Sequence, residues 1–110
     1  MGLKITPGSE TLRWGPYSIL LLTKPSLSEE NCYGVYNGQP PRVTIEILDG
    51  LSPSITSATM FHELVHAVDE SLGLGLTEKA VRGVEVGMCS ILQQNPEWAR
   101  RWLEGLLETP

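Results

Sequence analysis

The sequence TMFHELVHAV at residues 59–68 contains two histidines four positions apart, with a glutamate directly after the first. Apolar residues on both sides recur at helical spacing, which predicts a helix over residues 55–72. On a helix, His62 and His66 leave the same face about one turn apart, so both imidazoles can bind one tetrahedral metal ion. Glu63 is rotated by about 100° around the axis, where it can take a proton from a metal-bound water.

The context of this motif makes it informative despite its length. The chain has 2 histidines, and both lie in the motif. The neighbouring positions are uncharged, as a buried metal-bearing helix requires. A pattern of this kind occurs by chance in under about 1% of chains this short. The competing interpretation, two structural histidines on a partly buried helix, carries less weight than metal binding.

The composition is that of one folded domain, which we expect to span residues 1–110. The apolar fraction is 41% and the formal net charge is −5. An acidic surface argues against a nucleic-acid partner. No apolar run approaches the ~20 residues of a membrane helix, so we expect no membrane partner. With 2 cysteines and no recognisable secretory signal, the sequence predicts a cytoplasmic protein.

The first half of the chain predicts strands. Apolar and polar residues alternate most clearly where Val43, Ile45 and Ile47 point one way and Thr44 and Glu46 the other, which indicates a strand with one buried face. Turn-forming residues bound each segment. The expected strands are residues 11–14, 17–23, 31–36 and 42–48.

The second half of the chain predicts three helices. Glycines end the first helix after residue 72, and Thr77 can cap a second helix that runs to about Gln94. Asn95 can then cap a third helix, with Pro96 at its first position. We therefore expect an α+β domain in which a small antiparallel sheet is followed by three helices.

Two histidines and a water leave one position of a tetrahedral zinc site for a third protein ligand. Cys32 and Cys89 are possible, but two acids on the second helix are better placed. If that helix runs back along the first, a residue about 6 to 10 positions into it is level with the histidines, which matches Glu85. Glu85 also lies in an apolar stripe, where a carboxylate needs a partner. Glu78 lies at the helix start, where the helix dipole alone favours an acid. We favour Glu85 and keep Glu78 as the alternative.

Four other side chains could assist the site. Asp69 faces roughly the metal side of the first helix and could accept the free ring N–H of a histidine ligand, or it could be an exposed acid. Tyr17, Tyr33 and Tyr36 could each donate a hydrogen bond to a developing oxyanion, and the sequence does not select one of them.

The segment 61–69, preceded by strands and followed by helices, resembles zinc metallopeptidases of the zincin type. More narrowly it is similar to gluzincins, whose third ligand is a glutamate on the next helix, and to the small ImmA/IrrE-like proteins of phages and mobile elements. The start of the second helix at 76–81 and the Asn95-Pro96 pair share this similarity. The resemblance covers roughly residues 15–96. It implies a sheet whose edge strand, expected at 42–48, aligns an extended peptide.

These observations together predict a zinc-dependent metallopeptidase of minimal zincin type. His62, His66 and Glu85 would bind Zn²⁺, Glu63 would act as general base, and the substrate would be a peptide or protein. The alternative is a structural or regulatory zinc protein without turnover, in which the ion joins the first two helices. The fourth coordination position separates the two, because water occupies it in a catalytic site and a cysteine or second carboxylate closes a structural one.

Overall fold

The computed structural model describes residues 8–27, 32–39 and 42–108, which form a four-stranded sheet followed by three helices. The α+β class predicted from the sequence is confirmed. Among the helices of this part of the chain, none has an apolar stretch sufficient to span a bilayer. The elements are β1 (Gly8–Trp14), β2 (Tyr17–Lys24), β3 (Gly34–Gln39), β4 (Arg42–Leu48), α1 (Pro53–Leu72), α2 (Glu78–Gln94) and α3 (Pro96–Leu107).

The sheet is mixed, so the predicted all-antiparallel arrangement is wrong. The strand order is β1-β2-β4-β3, and β2 pairs with β4 in parallel while the other pairs are antiparallel. After β2, the chain forms β3 at the edge and returns to insert β4 between β2 and β3. The expected edge strand at residues 42–48 is therefore an interior strand, and the edge beside the helices is β3. The predicted strand at 31–36 begins at Asn31, which lies outside the described residues.

Helix α1 packs on one face of this sheet, against the apolar side chains of β4. The alternating sequence of β4 predicted that this face is buried. Ile45 and Ile47 are fully buried, and Met60 and Ala67 meet them from α1. Burial of this kind contributes about 1.5–3 kcal/mol for each large side chain, and it fixes the rotation of α1 about its axis. The core consists of Ile19, Leu21, Val43, Ile45, Ile47, Met60 and Ala67.

The turn between α1 and α2 is tied back to the last part of α1. Gly73 ends α1 in the left-handed conformation with φ of 63°. The backbone N–H of Leu74 donates to the carbonyl oxygen of Asp69 at 3.0 Å, and that of Leu76 donates to the Asp69 carboxylate at 3.0 Å. Asp69 therefore holds the turn in place, and neither predicted role, as a histidine partner or as an exposed acid, is correct.

The two helices that follow begin differently. Thr77 caps α2 as predicted, because its hydroxyl oxygen accepts the N–H of Ala80 at 3.1 Å. Asn95 makes no side-chain cap on α3, and its amide instead donates to the carbonyl oxygen of Ile91 in α2 at 2.9 Å. Asn95 is the single residue between α2 and α3, and its side chain satisfies a carbonyl oxygen in the last turn of α2.

Candidate metal centre

Helix α1 presents both motif histidines to a cleft that it forms with β3 and α2. The two ring centroids are 5.0 Å apart and the ring planes meet at 67°. Ligand atoms of His62, Glu63 and His66 all lie within 4.8 Å of one another. The neighbouring stripe of α1 is buried against the sheet, so the direction of these side chains is fixed by the core. The structure thus brings together the residues that the motif spacing predicted.

Glu78, the first residue of α2, bridges the two histidines. One carboxylate oxygen lies 2.7 Å from Nε2 of His62, and the other lies 3.0 Å from Nε2 of His66. The side chain is 58% exposed, so it approaches the rings from the open side of the cleft. The Nε2 atoms of both histidines therefore point to the same carboxylate group. This is the arrangement expected if the two histidines and Glu78 bind one metal ion.

Glu85 contacts the other nitrogen of the first histidine. Its Oε1 atom lies 2.8 Å from Nδ1 of His62, and its side chain is 20% exposed. The carboxylate of Glu85 lies in an apolar stripe of α2, where an acid needs a polar partner, and His62 is that partner. A carboxylate that accepts the Nδ1–H of an imidazole fixes the tautomer in which Nε2 carries a lone pair. Glu78 and Glu85 therefore contact different nitrogens of His62.

The donor set fits a divalent metal ion. His62 contacts a carboxylate through each ring nitrogen, but a neutral imidazole has only one N–H. One of these contacts therefore needs an additional positive charge, either a proton or a metal cation. Imidazole nitrogens with carboxylate oxygens in a tetrahedral set are typical ligands of Zn²⁺.

Glu63 is buried beneath the histidines, with 6% of its surface exposed. Gly34 of β3 allows this position, because a Cβ built there would lie 2.7 Å from Cγ2 of Thr59 and 3.1 Å from Cγ of Glu63. Strand β3 therefore passes directly over α1 at the glutamate. The importance of Gly34 was not predicted from the sequence, where its only signal is a glycine inside a predicted strand.

Tyr36 of β3 supports the second histidine. Its ring stacks on His66, with centroids 6.0 Å apart and planes at 25°. Its hydroxyl donates to Oε2 of Glu70 at 2.8 Å. Burial, then the hydrogen bond to Glu70 and the negative charges of Glu70 and Asp69, raise the pKa of Tyr36 well above its usual range, so the hydroxyl keeps its proton.

The other two tyrosines lie in different places. Tyr33 lines the cleft and is 54% exposed. Tyr17 lies in β2 opposite Trp14 and is not among the residues that line the cleft. Of the three candidates named from the sequence, Tyr33 and Tyr36 therefore reach the site.

The two cysteines differ in their relation to the site, and neither forms a disulfide. Cys32 lies on the cleft wall. Cys89 lies one turn beyond Glu85 on α2, and burial together with the negative charge of Glu85 raises the pKa of its thiol. Because the thiolate is the form that binds metals, Cys89 is the poorer candidate ligand.

The cleft has a volume of about 850 Å³ and is bounded by β3, α1 and the first half of α2. Its volume falls within the range of typical ligand sites. Comparison of the chain with models of protein families, with curated proteins and with solved structures finds no match. The resemblance to zincins and to ImmA/IrrE-like proteins therefore rests on the motif and on the order of the elements.

We expect Gly34→Ala to lower the free energy of unfolding by about 1–3 kcal/mol, because the new methyl group overlaps Thr59. Urea denaturation measures the change. Adding Thr59→Ser removes the Cγ2 atom that the methyl group meets and should restore part of the loss.

Gly83→Ala in α2 is the matched control, because a Cβ there meets nothing within 4 Å. It should leave the protein as stable or raise its stability by about 0.5–1 kcal/mol. Equal stability of Gly34→Ala and the wild type would contradict the close approach of β3 to α1.

Proposed function

We propose that the protein is a zinc-dependent metallopeptidase that hydrolyses a bond of a peptide or protein substrate. The observation that carries this proposal is the convergence of two imidazole Nε2 atoms on one carboxylate, with the buried Glu63 beside them in an open cleft. A buried metal site with an accessible side is what hydrolysis needs, whereas a site closed by protein on all sides serves structure.

In this proposal His62, His66 and Glu78 hold the zinc ion, and Glu85 orients His62. Glu78 replaces Glu85, the ligand favoured from the sequence, because Glu78 reaches both Nε2 atoms and Glu85 reaches Nδ1. The earlier preference assumed that α2 starts level with the end of α1. Instead, the hydrogen bonds to Asp69 draw the turn back along α1, so α2 starts closer to the histidines.

Each residue of the proposed site has a separate role in the reaction. Bound zinc would supply Lewis acidity and lower the pKa of a coordinated water towards ~7. Glu63 takes the proton from the attacking water and delivers it to the leaving nitrogen of the substrate. Its burial keeps bulk water from competing for that proton. Glu85 and Tyr36 each hold one histidine ring in place.

Strand β3 supplies the surface that would align the substrate. Within the described residues it pairs with β4 alone, so its other edge is unpaired. Residues 33–36 line the cleft directly beside Glu63. An extended peptide can add to such an edge through backbone hydrogen bonds, which places its own backbone over the site. In this proposal β3 has the peptide-aligning role that the resemblance to zincins implied for residues 42–48.

The ligand set predicts different zinc affinities for two conservative variants. Glu78→Gln should lose stoichiometric zinc, as should His66→Ala, because each removes a ligand. Glu85→Gln should retain zinc with an affinity lower by about 10- to 100-fold, because it removes only the group that orients His62. Competition with a chromophoric chelator measures these constants. Loss of zinc in Glu85→Gln with retention in Glu78→Gln would instead establish Glu85 as the ligand.

Glu63→Gln should keep the fold and the zinc but lower hydrolysis by about 10²- to 10⁴-fold, since an amide cannot accept the proton. The assay incubates the zinc-loaded protein with a proteome-derived peptide library and identifies new termini by mass spectrometry. Glu97→Gln, which changes an exposed acid of α3, is the control. Undiminished hydrolysis in Glu63→Gln would refute its role as base, and a zinc-loaded wild type that produces no new termini would refute the peptidase.

One observation favours the second candidate, a zinc protein without turnover. Cys32 lies on the wall of the same cleft, where a thiolate could occupy the fourth position and join β3 to the two helices. In the catalytic proposal Cys32 is not a ligand, so Cys32→Ser should keep stoichiometric zinc at unchanged affinity. Loss of zinc in this variant would show a closed structural site.

A further inference from the structure

The α2 wall of the cleft carries one basic residue among acids. Of the described residues that line the cleft, Arg82 is the only lysine or arginine, and Glu63, Glu78 and Glu85 are the acids. Glu78 and Glu85 lie four positions before and three positions after Arg82, where they would ordinarily pair with it on a helix. Both are instead engaged with histidines. In the part of the chain that the structure describes, Arg82 forms no ion pair.

The position of Arg82 around α2 points its side chain to the opening of the cleft. Successive residues are rotated by about 100°, so Val81, Glu85, Glu78 and Arg82 follow one another around the helix in steps of about 20–40°. Val81 is fully buried and Arg82 is exposed. The carboxylates between them face the histidines. Arg82 therefore stands at the outer rim of the cleft, next to the residues that would bind the metal.

The contacts of the acids leave this arginine available to a ligand. In the proposed site Glu78 binds the metal, Glu85 orients His62 and Glu63 acts as base, so none of the three pairs directly with the guanidinium. A guanidinium binds a carboxylate through two parallel N–H donors, which is a strong and directional contact.

We propose that Arg82 binds a carboxylate of the substrate beside the scissile bond. A peptide that lies along β3 points alternate side chains to opposite sides, so one of them next to that bond reaches the α2 wall. The carboxylate is either an acidic side chain at this position or the C-terminal carboxylate of a substrate that ends there. The inference rests on the proposed peptidase function and adds the substrate class.

The test compares four peptides cleaved by the zinc-loaded protein. They carry Glu or Gln next to the bond that the library assay identifies, each with an amidated or a free C-terminus one residue beyond it. If the ligand is a side chain, the Glu peptides have the higher kcat/KM whatever the terminus. If it is the terminal carboxylate, the free acids have the higher kcat/KM whatever the side chain. Equal values for all four peptides would overturn the proposal.

Variants of Arg82 then identify the residue responsible. We expect Arg82→Gln to lower the preference for the carboxylate by about 10- to 100-fold, mainly through KM, which is the usual size of a lost charge-assisted hydrogen bond. Arg82→Lys should keep part of the preference, and Arg82→Glu should favour a Lys-containing peptide instead. Arg100→Gln, in α3 and outside the cleft, is the matched control. An unchanged preference in all Arg82 variants would overturn the assignment.

A binding measurement separates this inference from the function on which it rests. Zinc-loaded Glu63→Gln is titrated into two fluorescein-labelled extended peptides that differ only by Glu or Gln at a central position and are chosen without reference to a cleavage site, and the anisotropy gives both dissociation constants without turnover. Tighter binding of the acidic peptide that is lost in Glu63→Gln/Arg82→Gln supports the carboxylate site, even if the wild type cleaves nothing. Cleavage of the library without any such difference in binding would overturn the carboxylate site and leave the peptidase function intact.

Discussion

The burial of one stripe of α1 against the sheet is the constraint on which the site depends. Met60 and Ala67 are fixed by the apolar residues of β2 and β4, which leaves the adjacent stripe of the same helix facing the cleft. Because the side chains of a helix cannot rotate independently about its axis, the core determines where both histidines point. Any change that rotates α1 therefore moves both histidines together, which couples the stability of this small domain to the geometry of its candidate site.

The same packing explains how a carboxylate can be buried beneath the histidines. An ionised acid removed from water is costly unless a positive charge or hydrogen bonds compensate. Glu63 lies within reach of the proposed metal, and the glycine of β3 lets the strand cover it without a clash. A cation in the cleft would lower the remaining cost of burying Glu63. A bound metal would then contribute to the stability of the folded structure as well as to the proposed chemistry.

Local patterns in the sequence predicted the helices and strands well, but they did not predict which strands lie beside each other in the sheet. The spacing of the two histidines, the alternation at Val43, Ile45 and Ile47 and the cap at Thr77 are all found in the structure, because each depends on residues a few positions apart. The pairing of β4 with β2 is not encoded in the alternation, which gives the two faces of a strand but not the strands beside it. The mixed sheet and the edge position of β3 were missed for this reason.

The proposed site exchanges the roles that the sequence suggested for Glu78 and Glu85, and the reason is related. Glu85 was correctly expected to need a partner, since its stripe is apolar, and it has one in His62. Which nitrogen it contacts depends on where α2 begins relative to α1. That offset is set by the hydrogen bonds of Asp69 to the turn, and helix periodicity contains no information about it. Two acids seven positions apart on a helix are separated by about 10.5 Å, or two turns, so the starting level of α2 decides which of them lies level with a given ring nitrogen.

The two histidines are held by different kinds of contact, and this asymmetry has a physical consequence. Glu85 contacts Nδ1 of His62, which orients the ring, and a hydrogen bond donated by Nδ1 leaves Nε2 with its lone pair. Tyr36 holds His66 by stacking, which sets the ring plane but leaves the choice of protonated nitrogen to the other partners of the ring. The hydroxyl of Tyr36 is tied to Glu70 one turn further along α1, so strand and helix hold the stacked ring from both sides. The ring of His62 is therefore held by a charged partner on α2 and the ring of His66 by a stacked ring on β3, so His66 depends more directly on the position of β3 over α1.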